Sequence, residues 1–208
     1  MRIPKIIFAS LAVALLCLAS AAVAHADTIA FTGSRDFSGG PLAVPNPARC
    51  GPFPPNVLVT LPPGVGASNL GSFTSTESHC VNPLEGSIHN LFNGLFTFDF
   101  GGGNSFFGTY VGRVVGVPPP PIPPGTVVAV SFSYVLTGGT GLYAGATGSL
   151  MASGTTTFTP TGANSHIDIS GTVNTVPEPT TILLLGTGLA GVGAKVRKRY
   201  TAQKGEES

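Results

Sequence analysis

Between Asp27 and Pro179 the chain contains no lysine, and the whole sequence has no tryptophan. That stretch carries three arginines, Arg35, Arg49 and Arg113, against seven acidic residues, a balance of about −4. The formal +1 of the full chain therefore comes from its two ends. A nucleic-acid surface needs clustered Lys and Arg to meet phosphates, and the central region has no such cluster, which excludes that partner class. Missing too are a GxSxG nucleophile elbow and a Lys-Ser or Lys-Thr after a glycine-rich loop. Low charge with abundant Gly and Pro would suit a disordered chain. The Phe, Val, Ile and Leu residues, however, fall in alternating runs, the pattern of an extended β-protein with glycine turns.

Both ends read as targeting segments. Arg2 and Lys5 precede an apolar core from Ile6 to Ala22, and Ala24-His25-Ala26 forms a small-x-small cleavage site before Asp27. This order predicts a signal peptide over 1–26, served by Sec export and signal peptidase and removed on export. Cys17 does not make it a lipoprotein signal, because Leu16 stands where that processing needs a small residue. At the other end, Val176, Pro177, Glu178 and Pro179 lead into an apolar run, 180–194, and then a basic stop of Lys195, Arg197, Lys198 and Arg199. The run predicts a helix of roughly 22 Å, short for stable spanning of a ~30 Å hydrocarbon core. The basic residues would hold its far end on the cytoplasmic side. Such a tail reads as a removable address, with a permanent anchor as the alternative. Gly186, Thr187, Gly188, Leu189, Ala190 and Gly191 match a dinucleotide-binding pattern, but the remaining residues leave no room for the βαβ unit it needs.

The region between, 27–175, suits one domain. Its first part, 27–93, is proline-punctuated, and proline fixes φ and lacks an N–H. Only short pieces such as Thr28–Phe31 and Val57–Leu61 are expected to pair there, at a sheet edge, with 66–89 as a polar loop. Cys50 and Cys80 read most simply as a disulfide in an exported protein, with free thiols as the alternative. Closing about 30 residues would contribute on the order of 3–4 kcal/mol. Regular structure is expected from Gly94. Phe96, Phe98 and Phe100 share one strand face opposite Thr97 and Asp99, and Gly101 to Asn104 supply a turn into a return strand, 106–115. Pro118 to Pro124 form a stiff spacer that cannot pair. Val128, Val130, Phe132, Tyr134 and Leu136 then line one face of a half-buried strand over 126–137. Further strands at 143–153, 155–159 and 166–174 complete a meander over 94–175. The fold class is all-β: a single antiparallel barrel or sandwich, flanked by the signal helix and the hydrophobic sorting helix.

Phe96, Phe98, Phe100, Phe132 and Tyr134 form a candidate pocket, since inward aromatics line ligand-holding barrels or simply fill smaller ones. Glu77, Glu85, Asp99 and Asp168 would support acid–base chemistry only by converging in one cleft, and Asp168, between Ile167 and Ile169, is expected to face solvent. His79, Cys80, Glu85 and His89 fit no standard zinc spacing. No catalytic residue, metal or cofactor is expected.

Motif, apolar run and basic stop occur together from Val176 to Arg199, and in that order resemble the PEP-CTERM protein-sorting signal. The resemblance implies recognition by an exosortase, a membrane cysteine protease, with cleavage near Pro177–Pro179 after transient inner-membrane association. It also implies a Gram-negative host that makes exopolysaccharide, and delivery to the cell surface or extracellular matrix. A second stretch, Leu136 to Gly148, resembles a hairpin of bacterial secreted β-proteins that recurs in allene oxide cyclase-like and dirigent-like eight-stranded barrels. None of that family's pocket residues has a matching position, so no catalytic role is carried over. The expectation is an exported structural or adhesive protein associated with exopolysaccharide, without catalysis. A small-molecule-binding barrel is the alternative, and a cyclase-like enzyme stands behind it.

Overall fold

Side-chain alternation with a period of two runs through nearly all of the domain, and it sets the architecture. The computed structural model describes residues 27–52, 56–175 and Gly188. The signal peptide, the sorting motif, the predicted sorting helix and the basic stop lie outside the described residues. The chain runs through β1 (Asp27–Gly39), β2 (Leu42–Pro45), a helical turn α1 (Pro47–Cys50), β3 (Val57–Thr60), β4 (Gly64–Ser68) and β5 (Gly71–Val81). It continues through β6 (Ile88–Asp99), β7 (Ser105–Val115), β8 (Val127–Thr140), β9 (Thr147–Thr159) and β10 (Gly162–Thr175). Among the described residues no helix is long and apolar enough to cross a membrane.

The pairings form a ring. From β1 they pass through β10, β9, β8, β7, β6, β5 and β4, and β4 pairs back onto β1 at Gly33–Asp36. Each of these neighbours is antiparallel. Eight strands thus close a barrel, the architecture that removes exposed sheet edges. Pro62 and Pro63 interrupt what would otherwise be one strand, so β3 and β4 share the same side of β5. The β2–β3 hairpin leaves the ring there as a flap. Cys50 and Cys80 form a disulfide across 30 residues that ties the flap to β5. Arg49 reinforces it, donating to the Ser78 hydroxyl and carbonyl at 2.9 Å each and to the Asn93 carbonyl at 2.6 Å.

Four sequence expectations give way. β1 is a 13-residue strand in the wall between β10 and β4, not a short edge piece, because Pro41, the first proline after Asp27, lies beyond it. The stretch 27–93 is not irregular, since it supplies β1 to β5 and the start of β6. The polar segment 66–89 is largely β5, whose Phe73, Ser75, Glu77 and His79 point inward while Thr74 and Thr76 face out. Finally, Ser153-Gly154 is no turn: β9 runs unbroken from Thr147 to Thr159. Gly154 pairs with Ile167, and β10 approaches so closely that a side chain at Gly154 would strike the His166 carbonyl and the Ile167 Cα.

The inward faces pack into one core. At the end of the barrel where Asp27 and Thr175 pair, Phe73 and Phe98 lie 4.8 Å apart between ring centroids, Phe31 and Phe106 5.8 Å, and Phe100 and Tyr143 5.0 Å. Each fully buried ring of this kind stabilises the fold by roughly 1.5–3 kcal/mol. Toward the other end Val128, Val130 and Ile167 take over, and Val117, from the loop before the Pro-rich spacer, is buried with them. Replacing Gly154 with Ala is expected to destabilise by about 1–3 kcal/mol, because the backbone of β10 must move. Ser153→Ala, on the outward side of the same strand, should stay within about 0.5 kcal/mol. Urea unfolding of the two variants reads this difference, and an equal, small effect at both positions would restore the turn.

Candidate functional site

Arg35 is the largest side chain in the described structure that is fully buried. It enters the barrel from β1 between Phe31 and Phe37, and its guanidinium lies 5.9 Å from the Phe37 ring centroid. Its Nη2 donates to Glu77 Oε2 of β5 at 2.6 Å and reaches the Tyr134 hydroxyl of β8 at 3.5 Å. That hydroxyl in turn donates to Glu77 Oε1 at 3.2 Å. β4 lies between β1 and β5, and its Gly64 and Gly66 leave the interior to Ser75 and the Phe73 ring. A side chain at Gly64 would strike the Ser75 hydroxyl and the Asp36 carbonyl, and one at Gly66 the Phe73 ring. Arg35 Nε is buried without a hydrogen-bond partner.

A second buried pair lies beside this cluster. His79 Nδ1 and the Tyr110 hydroxyl are 2.7 Å apart, joining β5 to β7. Burial depresses the His79 pKa to about 4, helped by the positive charges of Arg49 and Arg35, so the ring is neutral. Burial also raises Tyr110, with Glu77 adding to the effect, so the phenol keeps its proton and shares a hydrogen bond with Nδ1. Glu77 is pushed above the ordinary carboxylate range by burial, against the pull of Arg35 and the Tyr134 hydroxyl. Tyr134 is raised by burial and then by Glu77. Carboxyl, imidazole and phenol are the groups proton transfer uses, yet each is already engaged by another side chain.

The predicted pocket residues lie around this cluster. Phe96 and Phe98 of β6 and Phe132 and Tyr134 of β8 are buried, while Phe100 is partly buried beyond the end of β6. They pack on one another, with Phe96 and Tyr134 at 4.9 Å and Phe132 and Tyr134 at 5.9 Å between ring centroids. The remaining candidates do not converge. Asp168 faces solvent and lies 3.7 Å from His166, whose other nitrogen meets Asp36 at 2.7 Å on the outer wall. That hydrogen bond raises the His166 pKa. Glu85 is exposed and accepts from Asn90, whereas His79 points inward, so the two do not share a site. Among the described residues no three His, Cys, Asp or Glu gather to hold a metal. Sequence reasoning missed Arg35, His79 and Tyr110. The signal was the alternation itself: Arg35 shares parity with Phe31 and Phe37, and Glu77 and His79 with Phe73.

Asp27 and Thr175, the first and last described residues of the barrel, are cross-strand partners. The predicted signal cleavage between Ala26 and Asp27 and the start of the sorting motif at Val176 therefore fall next to the same strand pair. The ring of eight paired strands defines the class of closed antiparallel β-barrels. Residues 175–199 match the family model of the PEP-CTERM protein-sorting motif. The chain thus carries the signal of an exosortase-sorted, exported and membrane-processed protein. No curated protein and no solved structure matches the chain. The allene oxide cyclase-like resemblance of 136–148 accordingly has no support from either comparison.

Truncating Glu77 to Ala leaves the Arg35 charge buried alone and is expected to cost about 3–5 kcal/mol. Replacing the pair together, Arg35→Met with Glu77→Leu, should recover much of that loss in thermal unfolding. Because the folded His79 pKa lies below its ordinary value of 6.5, the unfolded chain binds the extra proton. Stability should therefore fall as pH drops from about 6.5 toward about 4, by on the order of 3 kcal/mol. Denaturant titrations at a series of pH values check this, and His79→Gln should flatten that part of the profile.

Proposed function

We propose that this protein is an exported component of the cell envelope or extracellular matrix. In this reading it acts structurally or adhesively, in association with exopolysaccharide and without catalysis. One observation carries it: the sorting motif begins at the last residue of β10, so the whole barrel is the cargo that the motif addresses. Two features support a non-catalytic role. The interior carboxyl bonds to the Tyr134 phenol and the imidazole to the Tyr110 phenol, and the aromatic rings around them are in mutual contact. Outside, β9, β10 and β1 present mainly short hydroxyl and amide side chains around the Asp36, His166 and Asp168 cluster, a polar surface suited to polyhydroxylated partners. Deleting Val176 to Ser208 should move the protein to a different cell fraction while the purified domain unfolds at the same temperature. An unchanged distribution between cells, membrane and matrix would remove this reading.

The unpartnered Arg35 Nε favours a second reading, in which the barrel interior holds a small polar molecule. Native mass spectrometry of protein purified from its producing cells tests it. A stoichiometric adduct that Arg35→Met abolishes supports the reading, and the bare polypeptide mass counts against it.

A further inference from the structure

The outer wall of β6 to β9 contains a cleft whose side chains belong to no part of the interior network. Asn90, Arg113 and Ser131 lie side by side on β6, β7 and β8. Two residues along, Val111, Ser133 and Met151 form the next outward row across β7, β8 and β9. The rows are about 6.8 Å apart along the strand. Between them lies Gly112, where a side chain would point inward into the Phe132 ring. A cleft of about 380 Å³ opens between the rows, lined also by Leu91, Gly112 and Phe132, within the range of small-ligand sites. Arg113 is exposed at one side, and among the described residues it makes no ion pair. Arg35 and Arg49, by contrast, are committed to Glu77 and to Ser78 with Asn93.

We propose that this cleft binds one uronate unit of an acidic polysaccharide. Its guanidinium can take the sugar carboxylate in a planar, two-point contact, the geometry for which arginine is suited. Ser131, Ser133 and Asn90 can bond to ring hydroxyls, and Val111 and Met151 cover the C–H face of the ring. The two rows together select this chemistry. Phosphate would use Arg113 and leave the apolar row idle, and an acyl chain would leave Arg113 and three polar side chains without partners. Glu85 opposes the ligand from behind Asn90, where its carboxylate accepts from the Asn90 backbone N–H at 2.7 Å and from the side-chain amide at 3.2 Å. The inference rests on the exopolysaccharide association proposed above and names the sugar that association would use.

Titration calorimetry of the mature protein with tri-galacturonate, the corresponding neutral galactose trisaccharide and inorganic phosphate tests the site. Tri-galacturonate is expected to bind about tenfold more tightly than either control, and Arg113→Ala should remove about that factor. Glu85→Gln should tighten binding by relieving the opposing charge. Arg113 is exposed on the wall and Glu85 in the loop before β6, and an unchanged unfolding temperature confirms that the fold is kept. Equal affinity for acid and neutral sugar, phosphate binding as tightly as uronate, or an Arg113→Ala variant that binds normally would each overturn the proposal. Co-sedimentation with the producing cells' own polysaccharide separates the two readings. If wild type and Arg113→Ala are retained equally, the association stands and the cleft does not carry it. If wild type is not retained, the association itself falls.

Discussion

A guanidinium and a carboxylate enclosed in a barrel must meet, and the pairing of Arg35 with Glu77 constrains the rest of the molecule. Either charge alone in that interior would cost several kcal/mol. β8 supplies the Tyr134 hydroxyl that satisfies the second carboxylate oxygen, and on the strand between β1 and β5 Gly64 and Gly66 make room for Ser75 and the Phe73 ring. A one-residue slip of β1 would turn Arg35 to solvent and leave Glu77 without its counter-charge. The pair thus ties the register of the first strand to that of β5 and β8, although they are far apart in sequence.

The apolar layers fit around that polar centre. Rings from β1, β5, β6 and β7 fill the end of the barrel where the chain enters and leaves, and branched aliphatic residues of β8 and β10 fill the other. The flap of β2 and β3 needs separate fastening, because it pairs only with the outer half of β5. The disulfide and the four hydrogen bonds donated by the Arg49 guanidinium supply it. With the few charges either paired inside or scattered outside, β7 and β8 expose Val111, Val115, Val127 and Val135, and the wall of β1, β9 and β10 is left mainly to Ser, Thr and Asn. Such a surface is solvated by short side chains that lose little conformational freedom when a partner docks.

The part of the fold legible in sequence was the part with apolar alternation. Phe96 with Phe98, and Val128 through Leu136, announce their strands because every inward position is hydrophobic. β1 and β5 do not, because their inward positions include Arg35, Ser75, Glu77 and His79, residues ordinarily read as surface. Composition assigned them to loops, whereas parity with Phe31, Phe37 and Phe73 would have turned them inward. Gly154 misled in the opposite sense. A glycine beside serine resembles a turn, but here the neighbouring backbone requires it. For the candidate site, the aromatic members could be named in advance and the charged centre could not. Pairing two charges 42 residues apart depends on ring closure, which local pattern does not encode.

The β1–β10 seam has one more consequence. Its 13 paired positions begin where the chain's first described residue meets its last. The barrel is in effect a loop with its free ends side by side at one pole, while the disulfide-bound flap lies at the other. A cut at either end removes nothing from the hydrogen-bonded wall. A body trimmed to Asp27–Thr175 would therefore keep every strand pairing of the wall.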